Sequence, residues 1–147
     1  MNKDCVFCNI VDGKEKAYII DESDLSIVIL DINPLQKGHC LAIPKRHIQF
    51  WYQMNDEEIS DLYRLSARVA RRLMKLYKAD FITQYARGRR IPHTHIFLIP
   101  TFSKDPLDRY FNALEGFQEN ARLLANLGNP KILKKTEKFI KKIKKDG

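Results

Sequence analysis

The strongest constraint on the fold is a long amphipathic segment that lies between two groups of short apolar runs. Asn55 is a favourable N-cap, and Glu58 follows it at the third position, as in a capping box. Apolar residues then recur at spacings of three and four: Ile59, Leu62, Leu65, Val69, Leu73 and Leu76. The pattern predicts a long helix whose single apolar face must pack against another element.

The short apolar runs on either side of this helix predict β-strands. Three runs precede the helix and two follow it, the last two hinged near Gly88: AYIIDE, SIVILDI, HCLAIP, DFITQYARG and IPHTHIFLIP. Strands, then a helix, then strands, then more helices are typical of an α+β fold with an antiparallel sheet.

The C-terminal third predicts helices and carries most of the basic charge. The pattern over residues 105–128 predicts one helix that begins at Asp105-Pro106 and ends near Gly128.

Residues 131–147 contain eight Lys and two acidic residues, so they hold most of the net charge of +8. Apolar residues recur there at roughly helical spacing: Ile132, Leu133, Phe139, Ile140 and Ile143. We expect a domain over residues 1–128 and a basic helical tail, 129–147, that packs on it or extends from it. Contact of the tail with nucleic acid or an anionic membrane is the alternative.

Composition limits the class of protein. A chain of 147 residues that is 44% apolar is long enough for one compact domain with its own core. The sequence contains neither a signal peptide nor an apolar run long enough to span a membrane, so we expect a cytoplasmic protein. Three cysteines are too few for a disulfide framework, so the Cys5-x-x-Cys8 pair suggests metal binding or redox chemistry.

Two histidines stand two positions apart in the last apolar run. In a strand, alternate side chains share a face, so His93, His95 and Phe97 are predicted to point the same way. Two neighbouring imidazoles can bind one phosphate, or one phosphate and one metal ion. The alternative is that each histidine is an ordinary core residue with a buried hydrogen-bond partner.

Three segments, in this order, resemble the histidine-triad (HIT) nucleotide hydrolases and transferases: CVFCNIVDG, LDINPLQKGHCLAIPKRHI and IPHTHIFLIP. The resemblance covers roughly residues 5 to 100, and the second segment is its most specific part. It implies a HIT-type antiparallel sheet with a long helix, and a homodimer paired through that helix and an adjoining strand.

The resemblance also implies a chemistry and its residues. The substrate would be a purine nucleotide, a phosphoramidate or a dinucleoside polyphosphate, attacked at its α-phosphorus without a catalytic metal. His95 would be the nucleophile, His39 its supporting residue and Asp31 the ribose-binding carboxylate. The purine would be walled by Phe7, Ile10, Ile29 and Ile32. The alternatives are a strand-capping role for His39, a turn-forming role for Asp31 and a plain core role for the four apolar residues.

Bacterial or archaeal relatives with an N-terminal cysteine pair imply a structural zinc site. Its ligands here would be Cys5, Cys8, His47 and His93, a set of four that leaves no open coordination position. A redox pair is the rival, but the surrounding pattern is not the βαβ unit of a thioredoxin. Core cysteines without a metal are the remaining alternative.

The chain departs from the family pattern beside the nucleophile. Phe97 occupies the place of the third histidine, and phenylalanine cannot donate a hydrogen bond to phosphate. Upstream, the chain has Gly88-Arg89-Arg90 where relatives have Gly-Gln and a small hydroxyl residue. Arg87, Arg89 or Arg90 would supply the missing donors, unless they form only a solvated basic turn.

These departures leave two other functions open. The chain would bind nucleotides with little or no turnover if Phe97 marks lost catalysis. A nucleic-acid-associated protein that removes adenylate is the third reading, in which the basic tail and the arginines follow a phosphate backbone.

Overall fold

A computed structural model of the chain describes residues 5–86 and 88–142. The chain forms two compact units, Met1–Ser103 and Lys104–Gly147. The predicted boundary at residue 128 stays a prediction.

The first unit is built on a five-stranded antiparallel sheet. Its strands are β1 (Ile19–Glu22), β2 (Ser26–Leu30), β3 (Cys40–Pro44), β4 (Phe81–Tyr85) and β5 (Ile96–Thr101). Their order across the sheet is β1-β2-β3-β5-β4, and every neighbouring pair is antiparallel. Together with its helices this sheet confirms the predicted α+β fold.

One face of the sheet is covered by α2 (Asp56–Tyr77), the helix predicted from its apolar spacing. The predicted capping box is present, because the Asn55 side chain accepts from the Glu58 N–H at 2.9 Å and the Glu58 carboxylate accepts from the Asn55 N–H at 3.0 Å. Helix residues and alternate strand residues form one core: Leu62, Leu65, Val69, Leu73, Val28, Ala42, Ile96 and Leu98.

The opposite face of the sheet carries a second core around a short N-terminal helix, α1 (Val6–Val11). The strand residues that alternate with those of the first core point here: Ile27, Ile29, Leu41 and Ile43. They pack with Cys5, Phe7 and Cys8, and Phe97 lies against the same cluster. The predicted site residues of α1 and β5 therefore share this face.

The predicted strand over residues 91–100 is too long, since β5 begins only at Ile96. Before that residue the backbone bonds outside the sheet. The His93 N–H donates to the Ile91 carbonyl at 2.8 Å, and the Thr94 N–H donates to the Ile48 carbonyl at 2.6 Å. His93 and His95 therefore precede the strand that was expected to carry them. Their rings still share a side, because both contact Phe7.

The second unit contains α3 (Pro106–Gly116), a 3₁₀ turn (Phe117–Glu119), α4 (Ala121–Leu127) and α5 (Pro130–Lys142). The single helix predicted over residues 105–128 is thus interrupted, although Asp105 does cap its start. The break lies at Asn120, whose extended backbone and side-chain oxygen cap a new helix at the N–H groups of Arg122 and Leu123. The basic tail is helical in α5, and Ile143 lies outside the described residues. In the part of the chain that the structure describes, no helix is long and apolar enough to cross a membrane.

Candidate functional site

Four metal-ligand side chains converge beside α1. Cys5 caps the start of α1 and Cys8 lies in its first turns, while His47 follows β3 and His93 precedes β5. The ligand atoms of all four lie within 4.8 Å of one another. We call these four residues the Cys₂His₂ cluster. It is the ligand set predicted from the sequence, brought together from three separate parts of the chain.

The spacing within the cluster suits a tetrahedral ion. The Cys5 sulfur is 3.3 Å from Nδ1 of His93, and the Cys8 sulfur is 3.2 Å from Nδ1 of His47 and 3.6 Å from Nδ1 of His93. Zinc bonds to sulfur and nitrogen give a sulfur-to-nitrogen tetrahedral edge of about 3.5 Å. The three sulfur-to-nitrogen distances are therefore close to those of a tetrahedral metal site.

A hydrogen bond to the backbone fixes the tautomer of His93 that a metal ligand needs. Its Nε2 lies 2.8 Å from the Pro44 carbonyl oxygen, which can only accept, so Nε2 carries the proton. The Nδ1 lone pair therefore faces the two sulfurs, as in metal sites whose second ring nitrogen is held by a carbonyl. Burial lowers the pKa of His93 to about 4, so the ring is neutral at neutral pH.

The cysteines themselves are buried and free of disulfide bonds. Each sulfur of the pair faces an imidazole nitrogen of the cluster. The donor set of two thiols and two imidazoles can hold a metal ion.

His95 is buried next to the cluster, and its ring nitrogens differ. Nδ1 lies 2.7 Å from the His93 carbonyl oxygen and must donate to it, so the neutral ring keeps its lone pair on Nε2. The ring packs edge-on against Phe7, with centroids 5.2 Å apart. An imidazole held in this way has one defined nucleophilic nitrogen.

His39 has the opposite tautomer. Its Nδ1 accepts from the Leu35 N–H at 3.2 Å, so Nε2 carries the proton. That Nε2 is buried and finds no hydrogen-bond partner among the described residues, and the Asp31 carboxylate lies 3.7 Å from it. Burial lowers the pKa of His39, and the carboxylate of Asp31 opposes the shift. The site thus contains one buried donor that a ligand can satisfy.

Phe97 lies between these two histidines. Its ring centroid is 5.4 Å from that of His39 and 5.0 Å from that of His95. On the neighbouring strand, Tyr85 is its register partner and stacks on it at 4.4 Å with the planes 12° apart. The phenylalanine therefore completes an aromatic pair across β4 and β5. We call His39, His95 and Phe97 the histidine–phenylalanine site.

The other residues predicted around this site differ in how deeply they are buried. Phe7 and Ile29 are buried, Ile10 packs on the same core, and Ile32 is 79% exposed. A plain core role is therefore wrong for Ile32. The Asp31 carboxylate accepts from the Asn33 N–H at 2.8 Å, so it forms the turn that was its alternative role, and its second oxygen is the one near His39.

Two predicted arginines lie in the loop before β5. Arg89 and Arg90 are exposed, and Arg87 lies outside the described residues. The structure shows no ion pair for Arg89 or Arg90 within those residues.

A small depression opens at His95 and includes residues that the sequence analysis missed. Its lining is Gln49, Phe50, Trp51, Ala86, Gly88, Thr94 and His95. Three consecutive aromatic residues soon after His47 were the available signal, but only the fold places them beside His95.

Comparison with known proteins identifies the family. The HIT domain model matches residues 12–104. An uncharacterized HIT-like protein of Saccharolobus solfataricus, SSO2163, is 31% identical over 107 residues, covering 69% of this chain and 77% of its own length. The adenosine 5'-monophosphoramidase hnt1 of Schizosaccharomyces pombe is 32% identical over 65% of this chain and 73% of its own. The adenylylsulfatase HINT3 of Arabidopsis thaliana is 31% identical, covering 73% of this chain and 57% of its own.

Solved structures give the same result. SMU.412c of Streptococcus mutans superposes with a TM-score of 0.67 at 28% identity, covering 81% of this chain and 86% of that one. A zinc-bound histidine triad family protein of Mycobacterium smegmatis has a TM-score of 0.66 at 30% identity, covering 71% of this chain and 79% of that one. Sequence and structure together show that this chain belongs to the HIT family.

Proposed function

We propose that the chain is a nucleotide hydrolase that acts through a covalent nucleotidyl-His95 intermediate. Its substrate is a purine nucleotide phosphoramidate or a dinucleoside polyphosphate. The observation that carries the proposal is the tautomer of His95, since the bond from Nδ1 to the His93 carbonyl leaves the lone pair on Nε2. The phosphoramidase and adenylylsulfatase among the relatives support a reaction at an adenylate phosphorus.

The reaction proceeds in two displacements. Nε2 of His95 attacks the α-phosphorus, and the bond from phosphorus to the leaving nitrogen or oxygen breaks. The leaving group departs with the electron pair and gains a proton from solvent. Water then attacks the same phosphorus, gives one proton to solvent and breaks the bond to Nε2, whose electron pair returns to the ring. The nucleoside monophosphate is released and the neutral ring is regenerated.

Binding of the nucleotide uses the groups around His95. The Asp31 carboxylate holds the ribose hydroxyls, and the buried Nε2–H of His39 gains a partner when the ligand is present. Phe7, Ile10, Ile29 and Ile32 wall the purine, the last from its exposed position. Arg89 and Arg90, which are exposed in the loop before β5, contact the phosphate together with backbone amides.

Zinc in the Cys₂His₂ cluster has a structural role in this proposal. Two thiolates and two imidazoles suit zinc, and four protein ligands leave no position for substrate. Cys5 and Cys8 flank Phe7, which contacts the His95 ring, so closure of the cluster fixes α1 against the nucleophile. The zinc-bound relative supports this assignment.

A nucleotide-binding protein with weak turnover is the second candidate, and Phe97 favours it. An apolar ring at 5.0 Å from His95 cannot donate to the charge that develops on the phosphate. Loss of one such donor lowers a rate by a factor of about 10² to 10³.

A homodimer through α2, a cytoplasmic location and nucleic-acid contact by the tail stay predictions.

The test is release of AMP from adenosine 5′-phosphoramidate and from diadenosine tetraphosphate, by the wild type and by His95→Ala. We expect release by the wild type and its loss in the variant, while the metal content of the variant stays that of the wild type. Undiminished release by His95→Ala would refute the nucleophile. No release by a wild type that still binds AMP would favour the second candidate.

A further inference from the structure

Three consecutive aromatic residues take no part in either core, and two of them line the depression at His95. Phe50, Trp51 and Tyr52, here called the aromatic platform, lie at the short 3₁₀ helix Trp51–Gln53. Trp51 is 51% exposed and Tyr52 is 64% exposed. Phe50 and Trp51 line the same depression as His95. Large exposed aromatic faces next to a reacting group are unusual unless a ligand covers them.

The rings of the platform support one another. Phe50 and Tyr52 stack with centroids 5.3 Å apart and planes 8° apart. Trp51 stands edge-on to Tyr52, at 6.0 Å and 78°. The indole is therefore oriented by its neighbour while about half of its surface faces solvent.

Backbone contacts hold this segment next to His95. The Thr94 N–H donates to the Ile48 carbonyl at 2.6 Å, which joins the residue before His95 to the segment that carries the platform. Gly88 has a φ of +62°, and a Cβ there would lie 3.0 Å from the Gln49 carbonyl oxygen and 3.3 Å from Cδ1 of Phe50. Only glycine allows the loop before β5 to approach the platform this closely.

An unsatisfied polar group lies beside the depression. Thr94 is one of the lining residues, and its buried Oγ1 has no hydrogen-bond partner among the described residues. A buried hydroxyl without a partner is costly unless a ligand or water satisfies it. This hydroxyl and the platform thus mark a subsite adjoining the nucleophile.

We propose that the aromatic platform binds the leaving group of the substrate, and that the preferred leaving group carries a flat aromatic ring. The inference rests on the proposed function, because His95 divides the substrate into a nucleotide on one side and a leaving group on the other. The ring stacks on Trp51, and a polar atom near the phosphorus bonds to Thr94. Two sources fit this chemistry: the second nucleoside of a dinucleoside polyphosphate and an arylalkyl amine of a phosphoramidate.

The first experiment uses the fluorescence of Trp51, which is the sole tryptophan of the chain. In His95→Ala, diadenosine tetraphosphate or the phenethylamine phosphoramidate of AMP should quench Trp51 more strongly than saturating AMP does. Equal quenching by AMP would place Trp51 on the nucleotide side and overturn the proposal. Absence of quenching by either aromatic ligand, with binding shown by calorimetry, would overturn it too. This readout needs no turnover, so it stands even if the proposed hydrolase activity fails.

The second experiment compares kcat/KM for an aromatic leaving group with that for ammonia. Trp51→Ala should lower this ratio by about tenfold, the scale of one base–aromatic stack, while Trp51→Phe should keep most of it. Phe81→Ala removes a similarly exposed ring at the far end of β4 and should leave the ratio unchanged. The substrate most affected by Trp51→Ala identifies the source of the ring. An unchanged ratio for both aromatic substrates would overturn the proposal, whereas turnover retained by His95→Ala would overturn the proposed function instead.

Discussion

The Cys₂His₂ cluster and the histidine–phenylalanine site are neighbours, but one is closed and the other is open. In the cluster, every donor atom faces the other three within 4.8 Å. In the histidine–phenylalanine site, Nε2 of His39 has no hydrogen-bond partner within the described residues, and the Phe97 ring contacts both imidazoles. A closed set of donor atoms suits a structural ion, whereas an incomplete set suits a ligand that binds and dissociates.

Backbone carbonyls produce this difference between residues only two positions apart. The Pro44 carbonyl holds Nε2 of His93, which turns Nδ1 to the sulfurs. The His93 carbonyl holds Nδ1 of His95, which leaves the lone pair of that ring on Nε2. Two identical side chains thus receive opposite tautomers and different tasks.

The largest expected effect separates the two histidines. His95→Ala should lower turnover by at least about 10³-fold, because it removes the proposed nucleophile and not a supporting contact. It should leave the bound metal and the melting temperature nearly unchanged. His93→Ala should lose the metal first, as measured by elemental analysis beside AMP release. Loss of the metal from His95→Ala, or its retention by His93→Ala, would contradict these separate roles of the two histidines.

Removal of the metal is the next effect. A ligand present at about 1,000 times its Kd stabilises a fold by about 4 kcal/mol, so chelation should lower the melting temperature by about 10 °C or more. Cys8→Ser should behave like the chelated wild type in thermal unfolding. Cys40→Ala is the matched control, because Cys40 is a buried free cysteine outside the cluster. If chelation destabilised Cys8→Ser as much as the wild type, the cluster would not be the metal site.

Phe97→His adds a hydrogen-bond donor to the histidine–phenylalanine site. If the missing donor limits catalysis, kcat should rise by about tenfold or more with little change in KM. Steady-state AMP release measures both constants. Tyr85, which stacks on Phe97, is left in place, so the aromatic pairing across β4 and β5 is largely kept. An unchanged kcat would mean that arginines or backbone amides already supply the donor.

The smallest expected effect is a pH dependence of stability from His39. Burial holds the folded pKa of His39 below its ordinary value of 6.5, so the unfolded chain binds a proton first as the pH falls. Stability is then complete above about pH 6.5 and decreases toward the folded pKa, by at most about 1.4 kcal/mol per pH unit. His39→Gln removes this contribution. Urea unfolding at about pH 7.5 and about pH 5.5 should show a flatter dependence for the variant, and equal slopes would refute it.

Much of the fold and of the cluster could be predicted because local pattern determines them. Apolar spacing and the Asn55–Glu58 pair predict α2 without any knowledge of its partners. The three segments that resemble the HIT family, taken in their order, predict the family. With it they predict the four ligands that the structure brings together.

The errors arose where long-range contacts override local pattern. The start of β5 is displaced to Ile96 because Thr94 bonds to Ile48, which is distant in sequence. The break in residues 105–128 depends on a cap at Asn120 inside an otherwise helical pattern. The stack of Phe97 on Tyr85 follows from strand register, and the platform around Trp51 lies beside His95 only in the folded chain.

The most direct test of the account is peptide mapping of the trapped nucleotidyl adduct. The metal-loaded wild type is mixed with adenosine 5′-phosphoramidate, quenched within a turnover, digested and analysed by mass spectrometry. We expect an adenylyl group on His95, with His93 unmodified and one metal ion retained per chain. Adenylylation of His93, or turnover that leaves no adduct on His95 at any time, would contradict it.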